Sequence, residues 1–249
     1  MFVIKERQLK KILRLPRYVP GALTLGGRSF KYCDSRTMVH GYNEIFKKQV
    51  YAFNPATDHP LIIDCGSNIG LSIFYFKVRF RNAEIIAFEA DKDIFGLLES
   101  NIREFEIKDV RLYNSAVWFK DGYKDFYKEG GFSGRIPKKG DPVNSSIETV
   151  NLAKFINSKI DLLKIDIEGA ETLVVKSIES KLSFVDRIFI EYHSHTSEPQ
   201  DLQIILEVLS DNGFRYFIKE AYVSDNPFIK VIPLSGMDLQ LNIYAIKQQ

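Results

Sequence analysis

The stretch "LIIDCGSNIG", residues 61–70, decides the fold that we predict for this chain. Its three aliphatic residues are typical of a buried strand, and Asp64 follows them where that strand would end. Gly66 and Gly70 then enclose a short loop that leads into an apolar helical pattern. In an open α/β sheet, the loop after the first strand touches the ligand. A carboxylate followed by bare backbone at this place therefore predicts a ligand-binding loop.

Short apolar runs alternate with helical patterns from residue 61 onward, which is typical of βα units in a mostly parallel sheet. The clearest helix lies between Pro199 and Gly213, and others are expected after Asp91 and after Gly169. Turn residues and no helical period separate the last two strands, so we expect a C-terminal β-hairpin. The predicted strands are 61–64, 84–89, 110–114, 160–166, 186–192, 214–219 and 241–247.

Two regions fall outside this alternation. Residues 1–57 combine a basic amphipathic stretch with extended chain and turns, and we expect an N-terminal extension or cap before a domain of residues 58–249. Residues 120–148 are rich in Gly, Pro, Ser and Lys, which predicts a long surface loop near the carboxyl edge of the sheet. Trp118 is expected in the core or in a pocket wall.

Composition limits the function classes. The chain has 249 residues, 45% of them hydrophobic, and a net charge of +2, which is too small for a nucleic-acid footprint. Cys33 and Cys65 lie far apart without zinc-ligand spacing, so we expect a protein of the reducing cytoplasm. No run is long enough for a transmembrane segment. The basic N-terminal helix either covers the domain or makes a peripheral contact with an anionic membrane.

The first loop has the pattern DxGxNxG, and this pattern argues against a dinucleotide. Asp64 would repel a phosphate, whereas a ligand with an ammonium group and a ribose suits the loop, and S-adenosylmethionine is such a ligand. Gly66 would let the main chain approach the ligand, and Gly70 would relieve crowding where the helix begins. We expect Ser67 or Asn68 to cap that helix.

Glu89 ends the second predicted strand, 19 residues beyond Gly70. A carboxylate at this place in nucleotide-binding α/β folds accepts hydrogen bonds from the ribose hydroxyls. We therefore predict that Glu89 and the adjacent Ala90 contact the cofactor. The alternative is that Asp64 and Glu89 are only solvated carboxylates at strand ends.

A second group of polar residues lies in "DLLKIDIEGAE", residues 161–171, and "IFIEYHSH", residues 188–195. Lys164 and Asp166 alternate on one strand face and can form an ion pair. Glu168 follows directly, and Gly169 permits a tight turn into the helix that carries Glu171, so three carboxylates lie at one edge. Glu191 and His193 end the next predicted strand, which we expect to be a neighbour. The three carboxylates, Glu191 and His193 predict an active-site cleft, with Lys164 and Glu168 beside His193 or Asp166 as the base.

Two alternatives remain for this group. In the first, His193 and His195 are simply surface imidazoles that follow a strand. Asp166, Glu191 and His193 could instead hold Mg²⁺, although the sequence favours a site without metal.

In this order and spacing, "DCGSNIG", "AFEAD", "NSAV", "DLLKIDIEGAE" and "IEYH" resemble the FkbM-type S-adenosylmethionine-dependent methyltransferases over residues 58–195. The resemblance implies a class I methyltransferase (Rossmann-like) fold, with helices on both faces of a seven-stranded sheet. It also implies O-methylation of a hydroxyl on a sugar, glycan or natural product, as in polysaccharide biosynthesis. Ser67 stands where Ala is frequent in the family.

The same resemblance implies roles for individual residues. It assigns the methionine end of the cofactor to Asp64, Gly66, Asn68 and Gly70, and the ribose to Glu89. It assigns the rim of the adenine pocket to Ser115 and Ala116. It places Asp166, which the cofactor also contacts, with Glu168 and His193 on the side of the acceptor.

Two other functions stay open at this stage. A nucleic-acid methyltransferase would want a more basic face than the net charge of +2 indicates. A noncatalytic binding module would tolerate the loss of Asp166 or Glu168, and both are present. Four aromatic residues at 40–53 could stack on a sugar ring, but their helical spacing favours packing within the protein. They are Tyr42, Phe46, Tyr51 and Phe53.

Overall fold

A computed structural model describes residues 4–129, 134–138 and 140–248. The chain divides into two compact units. The first contains residues 1–114 and 128–134, and the second contains residues 115–127 and 135–249. The domain boundary that we expected at residue 57 stays a prediction.

The first unit begins with a short helix and a hairpin and continues with three βα-type strands. Its elements are α1 (Glu6–Ile12), β1 (Gly21–Leu25), β2 (Arg28–Tyr32), α2 (Ser35–Tyr42) with a π-helical turn (Asn43–Lys47), β3 (Leu61–Cys65), α3 (Leu71–Arg79), β4 (Glu84–Phe88), α4 (Lys92–Glu104) and β5 (Val110–Tyr113). Strands β3 and β4 are buried along almost their whole length, as parallel strands covered on both faces are.

The second unit combines a small sheet with the remaining strands of the large one. Its elements are β6 (Ala116–Trp118), β7 (Gly122–Phe126), β8 (Ser145–Asn151), a 3₁₀ turn (Leu152–Phe155), β9 (Leu162–Ile165), α5 (Glu171–Ser177), a 3₁₀ turn (Glu179–Phe184), β10 (Arg187–His195), α6 (Leu202–Asp211), β11 (Phe214–Val223) and β12 (Met237–Lys247). Trp118 is buried, as expected.

The large sheet has seven strands in the order β11-β12-β10-β9-β3-β4-β5. Strands β3, β4 and β5 pair in parallel, as do β9 and β10. Strand β12 runs antiparallel to both β10 and β11, because it returns from β11 as a hairpin. The predicted class I fold, its seven strands and the C-terminal hairpin are confirmed, with bounds that differ by a few residues.

The prediction of one long loop over residues 120–148 is wrong. Residues 122–126 form β7, and residues 145–151 form β8, which pairs antiparallel with β7 and parallel with β6. Residues 130–133 and 139 lie outside the described part of this segment. Turn-forming residues dominate the composition here, and strand pairing across the segment overrides that local signal.

The N-terminal residues of the first unit bury their apolar side chains. Leu9 and Ile12 of α1 are buried, and Phe30 of β2 has no exposed surface. Tyr42 stacks on Phe46 with ring centroids 5.0 Å apart. The two remaining aromatic residues, Tyr51 and Phe53, contact Phe76. Packing within the protein, rather than a sugar-stacking surface, is therefore confirmed for these aromatic residues.

Among the described residues, every helix is too short or too polar to cross a membrane.

Candidate active site

The loop between β3 and α3 is built around Asp64, whose side chain is buried without exposed surface. Ser72 Oγ donates a hydrogen bond of 2.5 Å to Asp64 Oδ2. Ser67 Oγ donates to the backbone carbonyl of Asp64 over 3.0 Å. The expectation that Ser67 or Asn68 caps α3 is wrong, because Gly70 is the N-cap and makes no side-chain cap bond. Ser67 instead closes the turn that follows the strand.

Positive φ angles let this loop reverse direction within a few residues. Gly66 has φ +85° and Gly70 has φ +97°, both in the left-handed region that favours glycine. A Cβ on Gly70 would lie 2.8 Å from Leu98 Cδ1 on α4. Glycine avoids this close contact, as the sequence predicted. Asn68 also adopts a left-handed conformation, with φ +47°, which asparagine tolerates better than most residues.

Glu89, just beyond β4, ties this loop to the next one. Its Oε2 accepts from the Asn68 backbone N–H at 2.9 Å, and its Oε1 accepts from the Asp91 N–H at 2.8 Å. Asn114 Nδ2 donates to the carbonyls of Glu89 at 3.0 Å and Ala90 at 3.2 Å. Sequence reasoning missed Asn114, although it stands directly before Ser115 in the quoted "NSAV". The structure thus brings Asp64, the glycine loop and Glu89 together within the first unit.

The hydrogen-bond acceptors of these residues fit the donor groups of S-adenosylmethionine. The site presents two buried carboxylates, Asp64 and Glu89, at the ends of adjacent parallel strands. Carboxylates suit the ammonium group and the ribose hydroxyls of that molecule. A carboxylate can accept about four hydrogen bonds, so the two amide bonds to Glu89 are compatible with ribose hydroxyls as further donors.

The second unit brings together all five residues of the other predicted group. Strands β9 and β10 are parallel neighbours with Ile165 opposite Ile190, which sets Asp166 and Glu191 side by side just beyond that pair. Lys164 Nζ lies 3.4 Å from Asp166 Oδ2, as the alternation along the strand predicted. Ser115 and Ala116 also belong to this unit, where Ser115 is buried.

His193 occupies the centre of the group. Its Nδ1 lies 3.0 Å from Glu171 Oε1, and its Nε2 lies 3.8 Å from both Glu168 Oε2 and Glu191 Oε1. Only 1% of the imidazole surface is exposed, so the alternative of a surface histidine is wrong for His193. The predicted cluster of carboxylates around this histidine is therefore present.

Glu171, which the sequence placed among the carboxylates at this edge, contacts His193 directly. It begins α5 and is 1% exposed. Besides its contact with His193, Glu171 Oε1 accepts from the backbone N–H groups of Ile167, at 3.1 Å, and Gly169, at 3.0 Å. The side chain folds back over the turn that precedes its own helix. The sequence indicated its place at this edge but not its contact with His193.

Glu168 sits in this turn with a strained backbone and a buried carboxyl group. Its φ of +59° lies in the left-handed region, where a residue with a Cβ is disfavoured. Its Oε2 is buried, and no described residue donates a hydrogen bond to it. Strained residues of this kind concentrate at functional sites.

The electrostatics of the cluster follow from burial and close charges. Burial raises the pKa of Glu168 to about 7. The charge of His193 acts to lower this pKa, and that of Asp166 acts to raise it. Burial and Asp166 also raise the pKa of Glu191, to about 8. Burial alone would lower the pKa of His193, but the surrounding carboxylates raise it well above its usual value. The pKa of Glu171 is lowered, because His193 and hydrogen bonds outweigh its burial.

His195 is also buried, with 5% exposure, so the expectation of a surface imidazole is wrong here too. Its ring lies against the turn, since a Cβ on Gly169 would be 3.1 Å from its Nε2. Burial and the nearby Lys138 and Arg135 lower the pKa of His195 to about 4. Lys138 Nζ donates to the Gly169 carbonyl over 3.1 Å. Sequence reasoning missed both cations, because it treated their segment as a surface loop.

Known proteins resemble this chain over most of its length. The family model of the methyltransferase FkbM domain matches residues 64–216. Methyltransferase sdnD of Sordaria araneosa is 25% identical over 212 residues, which cover 70% of this chain and 80% of that protein. Methyltransferase 1 of Beauveria bassiana (strain ARSEF 2860) is 22% identical over 177 residues, which cover 60% of this chain and 71% of that protein.

Solved structures share the fold at low identity. The methyltransferase FkbM of Methylobacillus flagellatus KT superposes with a TM-score of 0.55 and 15% identity over 82% of this chain. The match spans only 47% of that protein. The M. jannaschii TYW2, solved in complex with AdoMet, gives a TM-score of 0.50 and 13% identity, covering 93% of this chain and 87% of that one. The family match and the class I fold lead to one conclusion: the chain belongs to the FkbM methyltransferase domain family and is a methyltransferase.

Proposed function

We propose that the chain transfers the methyl group of S-adenosylmethionine to a hydroxyl group of a sugar, a glycan or a related small natural product. The observation that carries this proposal is the buried carboxyl group of Glu168, whose Oε2 has no hydrogen-bond donor among the described residues. A hydroxyl acceptor loses its proton during methyl transfer, so the site needs a group that accepts it.

Glu168 is the proton acceptor that the geometry favours. Its carboxyl group is close to His193 Nε2, at 3.8 Å, and its side chain is 15% exposed, which leaves an approach for an acceptor. The left-handed backbone at Glu168 fixes the carboxyl group at the turn rather than along the strand. Lys164 Nζ lies 3.4 Å from Asp166 Oδ2, within ion-pair distance.

The first unit offers the cofactor contacts that we propose. S-adenosylmethionine carries the methyl group on a positively charged sulfonium and thus supplies an activated methyl donor. Asp64, with the backbone of Gly66 and Asn68, would bind its methionine end. Glu89 would accept from the ribose hydroxyls, with Ala90 beside it. We also predict that five further residues contact the cofactor. They are Ser67, Gly70, Ser115, Ala116 and Asp166.

Two measurements, made one after the other, test the proposal. Isothermal titration with S-adenosylmethionine and S-adenosylhomocysteine should show binding to the wild-type protein and a large loss in Glu89→Gln. A panel of sugar and small hydroxylated acceptors is then incubated with methyl-labelled cofactor, and the product is characterised by mass spectrometry. Label on a hydroxyl oxygen supports the proposal. Cofactor binding with transfer only to nitrogen or to nucleic acid would reject the hydroxyl acceptor while keeping the cofactor site.

A further inference from the structure

We infer that Asp166, Glu191 and His193 form a binding site for one divalent metal cation. One ligand atom from each residue lies within 4.8 Å of the others. The three come from two adjacent strand ends, because β9 and β10 are parallel with Ile165 opposite Ile190. Glu191 and His193 are two residues apart on β10, so their side chains lie on the same face of the sheet.

The spacing around His193 Nε2 is that of metal ligands rather than of an ion pair. A charged imidazole paired with a carboxylate closes to about 2.7–2.9 Å. The Nδ1 atom of the same ring comes close to this range, at 3.0 Å from Glu171 Oε1. The Nε2 atom stays 3.8 Å from Glu191 Oε1 and makes no hydrogen bond to a described residue. Metal bonds of about 2.0–2.3 Å would place two ligands of one ion roughly 3–4 Å apart.

Glu171 supplies the arrangement that metal-binding histidines usually have. Such a histidine donates its second ring N–H to a carboxylate, which fixes the tautomer and the ring orientation. Glu171 Oε1 is in position to accept from His193 Nδ1, and two backbone N–H groups hold that oxygen in place. With Nδ1 as the donor, a cation would displace the proton from Nε2, which would then be the ring atom that binds it.

The charges around the site favour a cation, and its side chains leave an entry path. Glu168 and Glu171 add two carboxyl groups to those of Asp166 and Glu191, and Lys164 forms an ion pair with Asp166. The side chains of Asp166 and Glu191 are 22% and 25% exposed, whereas that of His193 is 1% exposed. A cation would therefore enter from the carboxylate side and rest against the buried imidazole.

The donor set indicates the class of metal. Two carboxylate oxygens and one imidazole nitrogen suit Mn²⁺ and related divalent ions of the first transition row, while Mg²⁺ prefers oxygen donors alone. Three protein ligands leave coordination positions open. A role for the metal rests on the proposed function: an acceptor hydroxyl bound at an open position would become more acidic and lose its proton more easily to Glu168.

The test measures Mn²⁺ binding to the full chain without cofactor or acceptor, so its result does not depend on the proposed reaction. After treatment with a chelator and its removal, the protein is titrated with Mn²⁺, and the six-line electron paramagnetic resonance signal of the free ion is followed. We expect about one ion bound per chain. We expect Glu191→Gln and Asp166→Asn each to weaken binding at least about tenfold.

Glu207→Gln is the matched control, since it removes an exposed carboxylate from α6 in the same unit. It should bind Mn²⁺ as the wild type does. Thermal unfolding of each variant identifies any that fails to fold, and the two ligand variants provide independent tests. Absence of binding at millimolar Mn²⁺, or equal binding by wild type, Asp166→Asn and Glu191→Gln, would overturn the inference.

Discussion

Glu171 and His193 form a buried pair in which Glu171 Oε1 lies 3.0 Å from His193 Nδ1. The same oxygen accepts from the N–H groups of Ile167 and Gly169. One carboxylate therefore fixes both the turn that carries Glu168 and the ring that faces Glu168 and Glu191. Since Glu171 lies behind the ring, we regard it as a positioning residue.

Replacing Glu171 by Gln tests this positioning role. The amide keeps the shape of the side chain but removes the charge beside the imidazole, so the orientation of the ring loses its strongest partner. We expect Mn²⁺ affinity and methyl-transfer rate each to fall about 10- to 100-fold. The affinity for S-adenosylmethionine should stay unchanged. A variant with wild-type Mn²⁺ affinity would contradict the role.

Replacing Glu168 by Gln tests the proposed base. Because an amide cannot accept the proton of the hydroxyl, we expect kcat to fall by about 10²- to 10⁴-fold. Titration calorimetry should find cofactor binding close to wild type, since Glu168 belongs to the group assigned to the acceptor. A loss of less than threefold in kcat, with an intact fold, would mean that another group takes the proton.

Replacing Glu168 by Gly separates stability from activity. The residue has φ +59° and a buried oxygen without a hydrogen-bond donor among the described residues, and both features oppose folding. Glycine adopts this conformation without steric cost, so we expect stability to rise by about 1 kcal/mol while activity is lost. Urea unfolding measures the first effect. A destabilised Glu168→Gly would show that the carboxyl group supports the turn.

Replacing Gly70 by Ala should destabilise the cofactor loop. Gly70 has φ +97°, and an added Cβ would lie 2.8 Å from Leu98 Cδ1. We expect a loss of at least about 1–2 kcal/mol in the free energy of unfolding, with weaker cofactor binding. The control is Gly96→Ala on the exposed side of α4, where nothing lies within 4 Å of the added Cβ. That change should stabilise by about 0.4–1 kcal/mol.

Asp34 predicts a pH dependence of stability in the first unit. Burial would raise its pKa, but hydrogen bonds from the Thr37 and Tyr18 N–H groups and from Arg17 lower it to about 2. A carboxyl group with a lowered pKa stabilises the fold above its unfolded pKa, near 4, and loses that effect as pH falls through 2. The contribution at pH 7 is about 2 kcal/mol.

The variant Asp34→Asn measures this contribution, because Asn keeps the ability to cap α2 but carries no charge. Urea unfolding should show the variant about 2 kcal/mol less stable at pH 7, with the difference shrinking toward pH 2. A difference that stays constant from pH 7 to pH 2 would assign the effect to geometry rather than to charge.

The sequence by itself determined the seven strands of the large sheet, the C-terminal hairpin and the residues that meet in the buried cluster around His193. Apolar runs such as 61–63 and the glycines after Asp64 are local signals, because strand burial and left-handed turns depend on residues close in the chain. The short "KIDIEGAE" and "IEYH" stretches indicated that Asp166, Glu168, Glu191 and His193 would meet, because parallel neighbours end at one edge.

Only the tertiary structure decided the arrangement of those groups. Glu171 folds back onto His193, which residue spacing alone does not predict. Arg135 and Lys138 lie near the buried His195 because of the path taken by a segment whose composition indicates a loop. Ser67 donates to the Asp64 carbonyl and does not cap α3, because that helix begins at Leu71 with Gly70 as its N-cap. Such outcomes depend on contacts between residues distant in the chain, or on competition between local partners, and residue type and spacing do not encode either one directly.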